Sequence, residues 1–192
     1  MTPVHLTLDE HADDLLSQDP FALLLGMLLD QQMPMERAFL GPAKLAERLG
    51  QNPLEPHAIA TWDPDGFAVI CARPPAVHRY PRSMATRIQA LAGAVVKHYD
   101  GDTSALWTTA TTGEEVRSRL EALPGFGPAK AAIFTALLGK QLGVRPPGWQ
   151  QASTPYGEDG SFRSVADVVD HESLLKVRET KQAAKAAARL GR

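Results

Sequence analysis

Between Thr112 and Leu142 the chain spells out two helices and the tight turn that joins them. No other stretch restricts the possible folds as much. Thr112 and Glu115 stand at capping-box spacing, which starts a helix at Gly113. Val116, Leu120 and Leu123 follow at i, i+4 and i+7 and give that helix one apolar face. Leu123-Pro124-Gly125-Phe126 suits a type II turn, because Pro presets φ and Gly accepts a positive φ. Gly127 then serves as N-cap and Pro128 as the first residue of the second helix. Ile133, Ala136 and Leu137, with Phe134 and Leu138, form its buried faces. Two glycines allow a ligand close to the backbone, and the second helix opens with free N–H groups and a positive dipole end. Lys130 adds a charge in its first turn. Nucleic acid is a polymer of evenly spaced anions and fits such an element; an ordinary αα-hairpin is the plain alternative.

Charge limits the first of these readings. The 192 residues carry a formal net charge of −2, so a nucleic-acid role must rest on local patches rather than on overall charge. With 44% hydrophobic residues and scarce β-branched runs, the composition predicts a folded, mostly helical chain. The single cysteine, Cys71, excludes a disulfide within the chain and a four-cysteine iron–sulfur cluster, and reads as a buried small hydrophobe. The polar, acidic start MTPVHLTLDEHADD has no signal-peptide pattern, and no apolar run is long enough to span a membrane. A cytoplasmic, membrane-free protein is the expectation. The histidines lack metal-ligand spacing with cysteine or acids, and no P-loop, dinucleotide fingerprint or nucleophile elbow occurs. No metal or cofactor is expected.

Taken in order, residues 7–17 suggest a first helix with Leu15 and Leu16 inward. Asp19-Pro20 caps a second, apolar nearly all round and therefore buried, which stops at Asp30-Gln31-Gln32. Pro34 opens another helix. Short helices are predicted over 42–49, closed by Gly50, and over 53–60, 63–72 and 102–107. Trp62 reads as an inter-helix filler. The loop from Arg73 to Arg82 is rich in proline and positive charge, with Tyr80 set between Arg79 and Arg82 as a base-stacking platform or a half-buried ring. The helix after it buries Met84, Ile88, Leu91 and Val95. Residues 143–162 read as a long loop, 164–169 and 173–190 as helices. The last helix carries Lys176, Arg178, Lys181, Lys185, Arg189 and Arg192 against Glu179, read first as a solvated face and second as a contribution to phosphate binding.

Leu123-Pro124-Gly125-Phe126-Gly127-Pro128, followed by Ala131, resembles the hairpin of the helix–hairpin–helix/Gly-Pro-Asp superfamily of base-excision DNA glycosylases. The likeness covers about residues 20–142. It implies an all-α fold of two interdigitated helical subdomains with a DNA cleft between them. Residues 30–142 would form a six-helix subdomain; 1–29 and 143–192 would complete the second, the whole chain being one domain. The implied function is base-excision repair by a monomeric DNA glycosylase acting on damaged duplex DNA. The run LLLGMLLDQQMPMERAF resembles the family's leucine-rich early helix, whose following loop faces DNA, and this places Gln31 and Gln32 against the nucleic acid. Gly125, Phe126, Gly127, Ala129 and Lys130 would contact its backbone through the hairpin, and Arg79 and Arg82 through the basic loop.

Two positions depart from the family. Its bifunctional members place a lysine where this chain has Ala129; Lys130 lies one residue on, turned about 100° around the helix. A Schiff-base lyase is therefore not expected, and Lys130 reads as a phosphate contact. Val144-Arg145 occupies the place of an apolar residue and the catalytic aspartate, and no acid occurs between Glu121 and Glu158. Asp30 is the first substitute carboxylate, at the end of the buried helix; Asp159, with Glu158, is the second. A monofunctional glycosylase is the leading expectation, and a non-catalytic DNA-binding or damage-recognition protein the alternative.

Overall fold

In the computed structural model, residues 3–190 are described, and every regular element among them is helical. The chain forms α1 (Glu10–Gln18), α2 (Pro20–Leu29), α3 (Met35–Phe39), α4 (Gly41–Leu49), α5 (Pro56–Thr61) and α6 (Pro64–Ala72). It continues as α7 (Pro81–Tyr99), α8 (Ala105–Thr108), α9 (Gly113–Glu121) and α10 (Pro128–Gln141). Next come α11 (Trp149–Ala152), a 3₁₀ turn (Val165–Asp167) and α12 (His171–Leu190). The all-α expectation holds. Arg192, one of the basic residues noted in the last helix, lies outside the described residues.

Local chemistry explains most boundaries. The Asp19 carboxylate accepts from the amides of Phe21 and Ala22 at the start of α2, and its other oxygen accepts from Leu54 N–H at 2.8 Å. Asp63 caps α6 in the same manner, and Gly50 ends α4 at φ 63°. Thr112 Oγ1 accepts from Glu115 N–H at 3.1 Å, half of the expected capping box. The return bond differs: the Glu115 carboxylate reaches the N–H and hydroxyl of Thr111, one residue earlier. The first helix starts at Glu10 rather than 7, because Asp13 Oδ1 gathers the amides of Leu6 and Thr7 into a turn and Asp9 becomes the N-cap. The helix expected at 53 begins at Pro56, and the one expected over 164–169 is a single 3₁₀ turn.

The core follows the predicted stripes. From Phe21 to Leu29 every residue of α2 is buried, and each large apolar side chain there contributes roughly 1.5–3 kcal/mol on burial. α2 packs against α1, α3, α4 and α7; α5 and α6 pack on α7; α9, α11 and the 3₁₀ turn pack on α10. The expected long loop is held down. A side chain on Gly139 would stand 2.2 Å from the Trp149 ring, and one on Gly113 would stand 2.4 Å from Trp149 Cα. Trp62 is half-buried against the core, as expected. Cys71 is buried and free, and burial pushes its thiol up to about 12. No helix among the described residues is long and apolar enough to cross a membrane.

Candidate nucleic-acid interface

A buried helix leaves its last carbonyls to be satisfied by whatever packs there. At the end of α2, Lys130 supplies the donors: its Nζ donates to Met27 O at 2.7 Å and to Leu28 O at 2.8 Å. Gln31 Nε2 also donates to Leu28 O, at 2.8 Å, and Asp30 N–H donates to Gly26 O. Lys130 is thus an internal cap. The expected phosphate contact is corrected, because its ammonium is half-buried and turned towards the protein.

Gln31 is the second junction. Arg87 donates to its Oε1 at 3.0 Å, and His78 Nε2 donates to its main-chain oxygen at 2.9 Å. Tyr80 N–H donates to His78 Nδ1 at 3.0 Å, which makes Nε2 the protonated nitrogen. These bonds draw the basic loop and the start of α7 against the α2–α3 loop. Arg79, Tyr80 and Arg82 are exposed there, and the Arg79 guanidinium stands 5.4 Å from the Tyr80 ring centre. No acid pairs with Arg79 or Arg82 among the described residues. Gln32 is exposed at φ 56°.

The hairpin arrives from the other side. Phe126 N–H donates to Leu123 O at 3.1 Å and Gly125 has φ 84°, the type II turn expected. The two glycines differ. A Cβ on Gly125 would stand 2.4 Å from Leu28 Cδ1, so Gly125 lets the turn seat on α2; Gly127 has nothing within 4 Å. Phe126 is buried edge-to-face on Phe134, with ring centres 6.2 Å apart. Its side chain therefore belongs to the core, which corrects its expected place at the interface. Gly127 offers no side-chain cap, and the amides of Ala129 and Lys130 have no acceptor among the described residues. Gly127 and Ala129 are exposed.

Asp30 stands where these pieces meet. It is half-buried, and its carboxylate accepts no hydrogen bond among the described residues but keeps some access to solvent; the fully buried carboxylate oxygen without a partner is Oε2 of the neighbouring Glu36. Burial raises its pKa above the usual aspartate value, while Lys181 and Lys130 pull it down and Glu36 pushes it up. Burial likewise pulls Lys130 down to about 8, against the attraction of Asp30. Desolvation disfavours the charge on both partners. Glu36 on α3 pairs with Arg178 on α12, and this clasp brings α12 and Lys181 to the site.

The other expected acids lie elsewhere. Glu158 and Asp159 are exposed, and Glu158 O accepts from Lys140 Nζ at 2.6 Å. Lys140 is ten residues beyond Lys130 on α10, about 15 Å along the axis, so Asp30 and Asp159 sit near opposite ends of that helix and do not share a site. Arg145, at the place of the family aspartate, donates from Nε to Gly139 O at 2.8 Å and caps α10. Sequence reasoning did not single out His78, Arg87 or Glu36, and it read Arg178 and Lys181 first as a solvated face and second as phosphate contacts, not as neighbours of Glu36 and Asp30. A lone histidine and single basic residues on separate helices make no local pattern.

A surface hollow of about 710 Å³ lies between the end of α7 and α9, but none of the converging residues line it. Its Arg119 is already bonded to Ala105 O, Thr109 and Glu115. No set of three or more His, Cys, Asp or Glu among the described residues could hold a metal ion. No family model, curated protein or solved structure matches the chain.

Proposed function

We propose that the protein is a monofunctional DNA glycosylase of base-excision repair, resembling the helix–hairpin–helix/Gly-Pro-Asp superfamily, with Asp30 as the acting carboxylate. One observation carries this reading: the Asp30 carboxylate accepts no hydrogen bond from the protein, yet stands beside Lys130 and Lys181 where hairpin, basic loop and α2–α3 loop converge. The carbonyls at the end of α2 are satisfied by Lys130 and Gln31, so capping does not account for Asp30. A half-buried carboxylate left free in this way is available to a substrate.

In this reading the unpaired amides of Ala129 and Lys130 and the unpaired Arg79 and Arg82 hold phosphates, and Gln32 faces the duplex; the expected contact from Gln31 is corrected, because its amide is taken up by Leu28 O and Arg87. A flipped nucleotide presents its C1′–N bond to Asp30. As that bond breaks, the base leaves with the electron pair and takes a proton from solvent, and positive charge grows on the sugar. The Asp30 carboxylate stabilises that charge and accepts the proton of the attacking water. Ala129, where a Schiff-base lysine would stand, supports hydrolysis without strand cleavage.

A second reading rests on Arg145. The usual aspartate position holds a helix-capping arginine, which favours a DNA-binding or damage-recognition protein without catalysis. Duplex and single-stranded oligonucleotides bearing uracil, hypoxanthine, alkylated or oxidised bases, read with and without alkali, decide between the two. Alkali-dependent cleavage of any of them is the glycosylase result. Salt-sensitive binding with no cleavage is the result of the second reading.

A further inference from the structure

The C-terminal helix is packed over only half its length. Ser173, Leu174 and Val177 of α12 are buried, Arg178 and Lys181 are half-buried, and every residue from Gln182 to Arg189 is exposed. That free half, QAAKAAAR, has no acid and no large apolar side chain. Alanine, lysine and arginine are strong helix formers, so it can stay helical without a surface of its own to cover. It contains nothing with which to bury itself against the domain.

Its charges are arranged. At about 100° per residue, Arg178, Lys181, Lys185 and Arg189 fall within an arc of about 80°. The face that buries Leu174 and Val177 thus continues outward as a basic stripe about 16 Å long. The stripe begins at the candidate site, where Arg178 pairs with Glu36 and Lys181 acts on Asp30. Lys185 and Arg189 have no ion-pair partner among the described residues.

We infer that the free half of α12 is a nucleic-acid phosphate rail: Lys185 and Arg189 hold the backbone of the strand whose flipped nucleotide lies at Asp30. The inference rests on the DNA reading above and adds to it a contact outside the hairpin. A 16 Å stripe spans roughly five base-pair steps, so the rail acts on phosphates flanking the reacting nucleotide. It supplies affinity without base preference, since contacts to phosphate carry no sequence information.

The test compares the full chain with the Lys185→Gln/Arg189→Gln variant. Both positions are exposed and remote from the core, so the fold and thermal midpoint stay as in the parent. Duplex affinity is measured across salt concentrations. The variant binds more weakly, and its log–log salt slope is shallower by about 1.8, two phosphate contacts at about 0.9 each. If the parent binds DNA and the variant keeps the full slope, the rail is overturned while the DNA reading stands. If the parent binds no DNA at any salt, both fall together. Vesicles of phosphatidylserine and phosphatidylcholine are the control. Parent binding to them that the double substitution abolishes, with DNA binding untouched, assigns the stripe to a membrane surface and overturns the proposal.

Discussion

The two ends of α10 each carry a lysine beside an aspartate, and the two pairs are built in opposite ways. At the C-terminal end, Lys140 pairs with Asp167, whose side chain is 4% exposed. Asp167 also accepts from Ser161 Oγ and from the amides of Arg163 and Ser164, and Lys140 also donates to Glu158 O. Both oxygens of that carboxylate are occupied, and they fold residues 158–167 onto the helix. At the N-terminal end, Lys130 donates to main-chain carbonyls instead, and Asp30 is left without a hydrogen bond. A carboxylate saturated by its own chain is architecture. One that is half-buried, faced by lysines and without a hydrogen bond from its own chain is what the proposed function draws on.

Substitutions at the two ends should therefore fail differently. Asp167→Ala leaves Lys140 buried without its partner and should cost about 3–5 kcal/mol of stability. Chemical denaturation measures it, and a loss below 1 kcal/mol would remove the contrast. Asp30→Asn should reduce excision about 10²–10³-fold with stability unchanged or slightly raised, because burial already works against its charge. Full activity in the folded variant would take Asp30 out of the mechanism.

The hairpin sharpens the same distinction within one turn. Gly127→Ala adds a methyl group to open space at φ −89° and should leave the fold intact. Duplex affinity should fall about threefold to tenfold as the backbone loses its closest approach, roughly 1 kcal/mol. Gly125→Ala meets Leu28 at a positive φ and should cost about 1–3 kcal/mol of stability instead. Equal behaviour of the two variants in folding and in DNA binding would show that the glycines are not divided as described.

The smallest effect is with pH. In the proposed mechanism Asp30 acts ionised, and burial raises its pKa, so activity should fall as pH drops through a value above the ordinary aspartate range. Lys130 has a folded pKa of about 8, below its unfolded value of about 10.4, so between them the unfolded chain binds more protons. Stability should then rise with pH from about 8 to about 10 through this group. Thermal midpoints across that range, in the parent and in Lys130→Gln, isolate the contribution. An identical slope in both would show that burial does not disfavour the lysine charge.

Much of the fold was legible because its signals are local. Asp19-Pro20, Asp63-Pro64, Gly50 and Leu123-Pro124-Gly125-Phe126 each act on residues within four positions, and all four behave as read. Where a cap had competitors, the reading slipped. Asp13 drew Leu6 and Thr7 out of the first helix, and Glu115 turned to Thr111. Phe126 looked like part of an interface because its motif does; in the fold it meets Phe134 eight residues on and is buried.

The amino-acid order by itself determined an all-helical chain, the stripes that bury α2 and α7, and the turn between α9 and α10. Helical period and capping chemistry are properties of neighbours. Only the tertiary structure decided which charges meet. Lys130 reaches Met27 across 103 residues of chain, His78 reaches Gln31 across 47, and Arg178 reaches Glu36 across 142. Whether a carboxylate is capped, paired or left free depends on how much water such contacts exclude and which donors they bring. That balance is set by packing, so Asp30 and Asp167 could not be told apart until the helices were in place.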